Sequence, residues 1–209
     1  MKVLLVNGSP HKEGCTYTAL SEVGKALEAD GIEAGMFWVG VKPLSGCIAC
    51  KTCVSKHKCV FDDTVNQFLD IAGEYDGFVF GTPVHWGGAS GAITSFMDRA
   101  FYADLCGGGE RFLLKPAAAV ISARRAGTTA TWDQINKYFA LMQMPIVSSR
   151  YWNIVHGAAP EQAKKDLEGM QTMRALAENM TFLMKSIALG KEQYGLPEKE
   201  ERVSTNFIR

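Results

Sequence analysis

Hydrophobic residues recur along the chain with two different periods, and the period predicts the element. Residues 2–6 form a short apolar run that ends in a polar turn, as a buried strand does. Beyond this turn, apolar residues recur every three or four positions at Leu20, Val23 and Leu27. This spacing predicts an amphipathic helix that ends near Gly31.

The alternation of strands and helices continues through most of the chain. Further strands are predicted at 32–39, 77–82, 117–121 and 145–155. Further helices are predicted around 64–72, 93–101, 132–142 and 160–189, the last with Leu167, Met170, Met180, Leu183 and Ile187 as its apolar face. Residues 40–61 and 190–209 are predicted to be irregular. Five strands alternating with helices indicate an α/β fold, a doubly wound parallel sheet with helices on both faces.

Composition and charge narrow the class of protein. The chain has 209 residues, of which 47% are hydrophobic, and 22 basic residues balance 22 acidic ones. Zero net charge argues against nucleic acid and against a polybasic membrane surface as partners. No apolar run reaches the roughly 18–20 residues of a membrane span, and the first run is too short for a signal peptide. We therefore expect a cytoplasmic protein without disulfides.

In a doubly wound sheet, ligands bind beyond the carboxyl ends of the strands, so the loops there are the candidate site. The first loop, residues 8–18, is rich in hydroxyl groups and runs into a helix N-terminus, which suits phosphate. It has neither the GxGxxG nor the GxxxxGK[ST] pattern, which favours a phosphate monoester without bound Mg²⁺. The alternative is an ordinary strand-to-helix turn with hydroxyl caps.

Two later loops also carry residues typical of binding sites. The third predicted strand is followed by Pro83, His85, Trp86 and two glycines, and Trp86 could stack on a flat heterocycle. The alternative for both rings is core packing or a subunit interface. The fourth predicted strand is followed by a Ser and Arg124. For the arginine, the alternative is a solvated basic loop.

At these residues the sequence resembles the flavodoxin-like NADPH-dependent FMN reductases and iron–sulfur flavoproteins. NGSPHKEGCT is similar to their phosphate loop, and GTPVHWGGASGAITSFMDRAF to their flavin-ring loop and the helix after it. The resemblance covers residues 1 to about 155. It implies a flavodoxin-like five-stranded parallel sheet in the order 2-1-3-4-5. The expected domain is 1–190, including the Cys-rich loop 40–61, followed by a C-terminal tail at 191–209.

The resemblance also implies FMN as the cofactor and assigns its contacts. The phosphate would be surrounded by Ser9, His11, Cys15, Thr16 and Tyr17. The flavin ring would be lined by Pro83, Val84, His85, Trp86 and Gly87, and its pyrimidine edge by Ser122, Ala123 and Arg124. Two residues depart from the family pattern: His11 stands where Arg is usual, and Cys15 where Asn is common.

Four cysteines lie within thirteen residues, at Cys47, Cys50, Cys53 and Cys59. Four thiolates so close together can hold one [4Fe–4S] cluster, whereas structural zinc usually takes two knuckles separated by a longer loop. The iron–sulfur branch of the resembled family shows such a motif. Structural thiols and a redox-active dithiol pair are the alternatives. Cys106 is expected to be an inert buried thiol.

The function implied is an FMN-dependent oxidoreductase that passes electrons from NAD(P)H to a quinone, a flavin or an iron–sulfur partner. An electron carrier with a [4Fe–4S] cluster and a non-enzymatic thiol metal-binding module are the alternatives. No catalytic residue is assigned, because the flavin supplies the chemistry. For His85 a packing role is preferred over proton donation. Exposed apolar residues, including Phe207 and Ile208, and the resemblance predict a homodimer or homotetramer.

Overall fold

Five parallel strands form the central sheet. The computed structural model describes residues 1–198, 200, 203, 205 and 207. The strands are β1 (Lys2–Asn7), β2 (Glu33–Trp38), β3 (Gly77–His85), β4 (Gly88–Ala89), β5 (Ala117–Ala123) and β6 (Ile154–His156). The parallel strands lie in the order β2-β1-β3-β5-β6, and β4 pairs antiparallel with β3. Counting the parallel strands alone, this is the predicted order 2-1-3-4-5.

Helices cover both faces of the sheet, as predicted. They are α1 (Cys15–Ala29), α2 (Thr52–Lys56), α3 (Thr64–Ala72), α4 (Gly91–Cys106), α5 (Thr128–Leu141), α6 (Pro160–Ala163) and α7 (Leu167–Tyr194). One hydrophobic core lies between the sheet and α1, α6 and α7. A second core lies between the sheet and α2, α3, α4 and α5.

Strand β1 shows how the sequence separates these two cores. Leu4 and Val6 belong to the core under α3 and α4, whereas Val3 and Leu5 belong to the core under α1 and α7. All four side chains are buried. Because successive side chains of a strand point to opposite faces, a strand covered by helices on both sides is apolar at every position.

An aromatic cluster fixes α3 and α4 against the sheet. The ring of Phe68 on α3 lies 5.0 Å from that of Phe96 on α4 and 6.1 Å from that of Phe80 on β3. Both contacts are edge-on, the arrangement that aromatic quadrupoles favour. This packing holds α4 in place, and α4 borders both candidate sites described below.

Two predicted elements are wrong in extent. The last strand was expected at 145–155, but β6 is only Ile154–His156, and Ile146 forms a single isolated bridge. Residues between them form a loop instead, in which Ser149 Oγ donates to Asn153 Oδ1 at 2.7 Å. The predicted helix 160–189 is two helices, because Asp166 accepts hydrogen bonds from the His156 and Gly169 N–H groups at the break.

Smaller differences concern the ends and the Cys-rich loop. Leu167 is 77% exposed and does not belong to the apolar face of α7. Segment 40–61 contains the short helix α2, and α7 continues to Tyr194, beyond the expected domain end at 190. Ile208 lies outside the described residues. In the described part of the chain, no helix has both the length and the apolar character needed to cross a membrane.

Candidate functional site

The loops after β1, β3, β5 and β6 meet at the carboxyl edge of the sheet. The Gly8 N–H donates to the Gly81 carbonyl at 2.9 Å, and the Gly157 N–H donates to the Ala123 carbonyl at 3.0 Å. Parallel pairing brings these ends to one edge, the usual place for a ligand in such sheets. The loops predicted from the sequence therefore form one continuous surface.

The first loop is held rigid by the side chain of Asn7, which is fully buried. Asn7 Oδ1 accepts from the Ser9 N–H at 3.0 Å, and Asn7 Nδ2 donates to the Lys12 carbonyl at 3.0 Å. Ser9 Oγ in turn accepts from the His11 N–H at 3.1 Å. Trp38 Nε1 donates to the Ser9 carbonyl at 2.8 Å from β2. The conformation of the loop is thus fixed by hydrogen bonds within the protein.

The start of α1 has the groups that an anion requires. Gly14 is its N-cap residue, and among the described residues no side chain caps this first turn. The N–H groups of the first turn, together with the helix dipole, therefore favour a negative charge there. Thr16 Oγ1 and Ser122 Oγ lie 2.7 Å apart, and both residues are buried. This hydrogen bond joins residues predicted on two different loops.

Two of the predicted phosphate residues contact or face the segment that follows β6 instead of the first loop. The Cys15 thiol donates to the Gly157 carbonyl at 3.4 Å, and burial raises the pKa of this thiol. Tyr17 lines a groove between α1 and α6, together with Pro160 and Glu161. His11 is exposed on the loop itself. Of the five predicted phosphate residues, Ser9 and Thr16 are the two that are buried.

The second loop is a tight hairpin between β3 and β4. Val84 pairs with Ala89 and His85 with Gly88, which leaves Trp86 at the tip with φ +52° and a side chain that is fully exposed. A bulky residue in the left-handed region costs on the order of 1–3 kcal/mol, which is tolerated most often at functional sites. Trp86 is therefore not a core residue of this chain, and His85 is exposed as well.

The third loop packs directly on this hairpin. Ser122 and Ala123 are buried at the end of β5, whereas Arg124 is exposed. Gly127 has φ +90°, and a Cβ there would lie 2.8 Å from both Gly87 Cα and a Val84 methyl group. Only glycine fits this contact. The half-buried Pro83 and Val84, the exposed tip and the β5 loop thus lie side by side.

Sequence reasoning missed several residues that shape this edge. Besides Asn7 and Trp38, Ser90 Oγ donates to the Gly8 carbonyl at 3.2 Å and accepts from the Ile93 N–H at 3.5 Å. It therefore caps α4 and ties α4 to the first loop. A serine directly before an apolar helical stripe is an N-cap signal, so Ser90 could have been found. The link to Gly8 depends on tertiary structure and could not.

The four clustered cysteines line one shallow pocket beside α4. Cys53 on α2 is buried, Cys59 is half-buried, and Cys47 and Cys50 are exposed. The pocket is also lined by Ile48, Lys51, Val60, Phe61, Arg99 and Tyr102. The sequence spacing thus brings the four predicted ligands to the same place.

The environments of these thiols differ. A hydrogen bond from the Thr52 hydroxyl lowers the pKa of Cys50, whereas burial and then the neighbouring Cys106 raise that of Cys53. Cys106 is half-buried, and its hydrogen bond with Tyr102 raises the pKa of the Tyr102 hydroxyl. The expectation that Cys106 is buried is wrong: it is half-buried, because it ends α4 where α4 lies against α2.

The donor set of the pocket suits a soft metal centre. Four thiols are the ligands that iron–sulfur clusters take, and a buried arginine against Cys59 offsets negative charge there. As the described residues stand, however, no three His, Cys, Asp or Glu side chains are arranged to hold a single metal ion. What favours a cluster is the chemistry of the four thiols and the single pocket that they line.

Comparison with known proteins agrees with this architecture. The profile of the family described as NADPH-dependent FMN reductase matches residues 1–159. An iron–sulfur flavoprotein of Methanocaldococcus jannaschii is 32% identical over 192 residues, which cover 90% of this chain and 99% of that protein.

Solved structures share the fold at low identity. RosB with bound 8-demethyl-8-formylriboflavin-5'-phosphate has a TM-score of 0.68 at 13% identity, covering 100% of this chain and 94% of that one. A WrbA-like flavodoxin of Agrobacterium tumefaciens has a TM-score of 0.63 at 13% identity. The match covers 88% of this chain and 97% of that one. The profile match spans most of the chain and includes all three strand-end loops, so this protein belongs to the NADPH-dependent FMN reductase family.

Proposed function

We propose that the protein is an FMN-dependent oxidoreductase that takes electrons from NAD(P)H and passes them to a small flat acceptor or a redox protein. The observation that carries this proposal is the convergence of three strand-end loops on a site with an anion-binding helix N-terminus and an exposed aromatic tip. Membership of an FMN reductase family supports the cofactor.

At the phosphate end, the first turn of α1 and the first loop would hold the FMN phosphate. Ser9 and Thr16 provide hydroxyl groups there, and the uncapped N–H groups of α1 provide donors. His11 lies exposed on the same loop and can reach a phosphate from the solvent side. One terminal phosphate, without a pyrophosphate fingerprint, favours FMN over FAD.

At the ring end, the β3–β4 hairpin and the β5 loop would hold the isoalloxazine. When bound, FMN accepts hydride from a nicotinamide and releases electrons to an acceptor. Pro83, Val84 and Gly87 offer backbone and apolar contacts, and Arg124 lies on the neighbouring loop. Trp86 provides a stacking surface beside the ring. The exposure of the hairpin leaves room for a second flat molecule.

The experiment is reconstitution followed by turnover. Apoprotein is incubated with FMN in one sample and with FAD in another. After gel filtration, the first sample should retain its flavin and the second should not. Heat should release the FMN unchanged for chromatography. The loaded protein should oxidise NADPH or NADH when a quinone is supplied. Retention of FAD alone, or of no flavin, would overturn the cofactor assignment. Bound FMN without nicotinamide oxidation would instead favour the electron carrier.

A second feature of the chain favours an iron–sulfur cluster as part of the same function. Four cysteines line one pocket on α2 and the adjoining loop, and α4 borders both this pocket and the strand-end site through Ser90. The M. jannaschii relative carries iron–sulfur flavoprotein as its name. We infer that Cys47, Cys50, Cys53 and Cys59 hold a [4Fe–4S] cluster, which would let electrons leave singly.

The test of the cluster is iron content after anaerobic reconstitution. We expect about four iron atoms per chain, as a cube requires. Cys50→Ser should lose most of the iron and keep FMN, because the flavin loops are separate segments. Cys106→Ser is the matched control, since Cys106 lies beside the pocket without lining it, and it should keep both. Four freely titratable thiols and no iron would reject the cluster and leave a simple FMN reductase.

A further inference from the structure

A buried arginine contacts one of the four clustered cysteines. Arg99 lies on α4, and its side chain is 1% exposed. Its Nε–H donates to Cys59 Sγ at 3.2 Å. A guanidinium keeps its positive charge throughout the pH range of folded proteins. The sulfur of Cys59 therefore has a permanent cation and an N–H donor against it.

The position of Arg99 is fixed by its other contacts. Nη1 and Nη2 donate to the two carboxylate oxygens of Asp63 at 2.8 and 2.9 Å, in the bidentate geometry that only arginine can make. The guanidinium lies 4.8 Å from the centre of the Phe61 ring. Burial disfavours its charge, yet the bonds to Asp63 and Cys59 raise the pKa of Arg99.

Cys59 is held from its backbone side as well. Its N–H donates to Asn66 Oδ1 at 2.9 Å, and Asn66 Nδ2 donates to its carbonyl at 3.1 Å. Asn66 lies in the first turn of α3 and is buried. By contrast, Cys47 and Cys50 are exposed on the loop. The main chain and the sulfur of Cys59 are thus both positioned, whichever ligand the pocket takes.

We propose that Arg99 is a positioning residue that raises the reduction potential of the cluster held by the four cysteines; this rests on the cluster inferred under the proposed function. Reduction of a bound cluster by one electron, which reduced FMN of the same protein would supply, would add one negative charge at the four thiolates. A buried cation and an N–H···S bond stabilise the more negative state more strongly. Arg99 would thereby favour the reduced state of a cluster held in this pocket.

Asp63 limits this effect, because its carboxylate oxygen Oδ2 lies 2.8 Å from Arg99 Nη1 and neutralises part of the positive charge. It also caps α3, with Oδ1 accepting from the Val65 N–H at 3.1 Å. Asparagine is an equally good N-cap residue, so Asp63→Asn should keep α3 intact. This substitution removes the negative charge that partly neutralises Arg99. It should therefore shift the cluster potential upward, whereas loss of the arginine should shift it downward.

The experiment is a redox titration of anaerobically reconstituted protein containing both FMN and iron. Arg99→Gln should lower the equilibrium constant for one-electron reduction of the cluster about tenfold, a shift of about 59 mV to lower potential. The flavin potential in the same sample is the internal reference. Arg99 lies nine residues beyond Ser90 on α4, about 14 Å at 1.5 Å per residue, so the flavin should respond little.

Arg111→Gln is the matched control. Arg111 also pairs with a buried carboxylate, that of Asp104 at 2.7 Å, but does not line the cysteine pocket. It should leave the cluster potential in place. If Arg99→Gln fails to retain iron, the cluster potential of Asp63→Asn tests the proposal instead. An upward shift of that potential supports it.

Two results would overturn the inference: one rejects the role of Arg99 alone, and the other rejects the cluster as well. Cluster potentials equal to that of the unaltered protein in both Arg99→Gln and Asp63→Asn would reject the role of Arg99 and leave the cluster standing. Absence of iron in the unaltered protein after anaerobic reconstitution would reject the cluster itself, and the role of Arg99 with it.

Discussion

Local surroundings shift the pKa values of two chemically identical thiols in this chain in opposite directions. Cys50 and Cys53 are three residues apart, yet the pKa of Cys50 is lowered by the Thr52 hydroxyl while that of Cys53 is raised by burial. The thiolate is the reactive form of cysteine, so the direction of each shift sets the order of reactivity. This difference is readable only from the folded structure, because the sequence spacing treats the cysteines alike.

In metal-free, reduced protein near neutral pH, iodoacetamide should therefore modify Cys50 before Cys53. Thr52→Val removes the hydroxyl at nearly constant size, which should raise the pKa of Cys50 and slow its modification. Peptide mass spectrometry against time gives both rates. Equal rates at the two cysteines would mean that the Thr52 bond and the burial of Cys53 do not operate in solution.

Trp86 offers a second test at the scale of one residue. Because its side chain is fully exposed, Trp86→Ala should leave the free energy of unfolding nearly unchanged. If it stacks on the flavin, FMN binding should weaken by roughly 1–3 kcal/mol, a range taken from stacking of bases on aromatic side chains. Fluorescence titration measures the Kd. Trp152→Ala, in the loop where its ring packs on Tyr151, is the control.

An unchanged FMN Kd in Trp86→Ala would place this ring at another contact, such as a subunit interface. A weaker Kd in Trp152→Ala of the same size would mean that the effect is not specific to the hairpin.

Among the elements, those with a strong period were predictable and those defined by single polar contacts were not. Strand β1 and helix α1 follow directly from runs such as Leu20, Val23 and Leu27, because burial on a covered sheet demands apolar residues at fixed spacing. The break between α6 and α7 depends on Asp166, which bonds the N–H of His156 on a different element. Such a bond leaves no local pattern.

The candidate site divides in the same way. The loops were predictable, because their glycines, hydroxyl groups and rings directly follow apolar strands. The carboxyl ends of parallel strands lie at one edge of the sheet, where ligands bind in such folds. The direction of each side chain was not: Cys15 bonds Gly157, and Tyr17 faces α6. Helix positions one apart point in different directions, so adjacent residues of one motif need not reach one ligand.

The contact between the hairpin and the β5 loop gives a prediction at the element scale. Gly127→Ala should lower the free energy of unfolding by about 1–2 kcal/mol, because alanine is strained in the left-handed conformation, and by more because its Cβ clashes with Gly87. The same substitution should weaken FMN binding. Gly31→Ala is matched, because Gly31 has φ +79° and nothing within 4 Å of its Cβ position. It should lose comparable conformational stability and keep the FMN Kd.

Chemical denaturation and fluorescence titration measure the two quantities. If both variants bind FMN like the unaltered protein, the packing of the hairpin on the β5 loop has no part in the flavin site.

For the whole molecule, exposed apolar residues favour assembly with a second copy. Ile48, Val54 and Val60 are 47–58% exposed around the cysteine pocket, and Trp86 is exposed at the strand-end site. We predict a homodimer or homotetramer, in which such surface is covered. Light scattering should give two or four times the 22.8 kDa chain mass at micromolar concentration. A mass equal to one chain at that concentration would contradict the prediction.

The most direct test of the central claim is an anaerobic titration of FMN-loaded protein with NADPH and, separately, with NADH, followed by visible absorbance. If the strand-end loops hold a flavin that a nicotinamide can reach, the oxidised flavin bands should disappear on stoichiometric addition of at least one of the two. Bands that persist in excess NADPH and in excess NADH, in protein that retains its FMN, would contradict the proposal that the bound flavin accepts electrons from a nicotinamide.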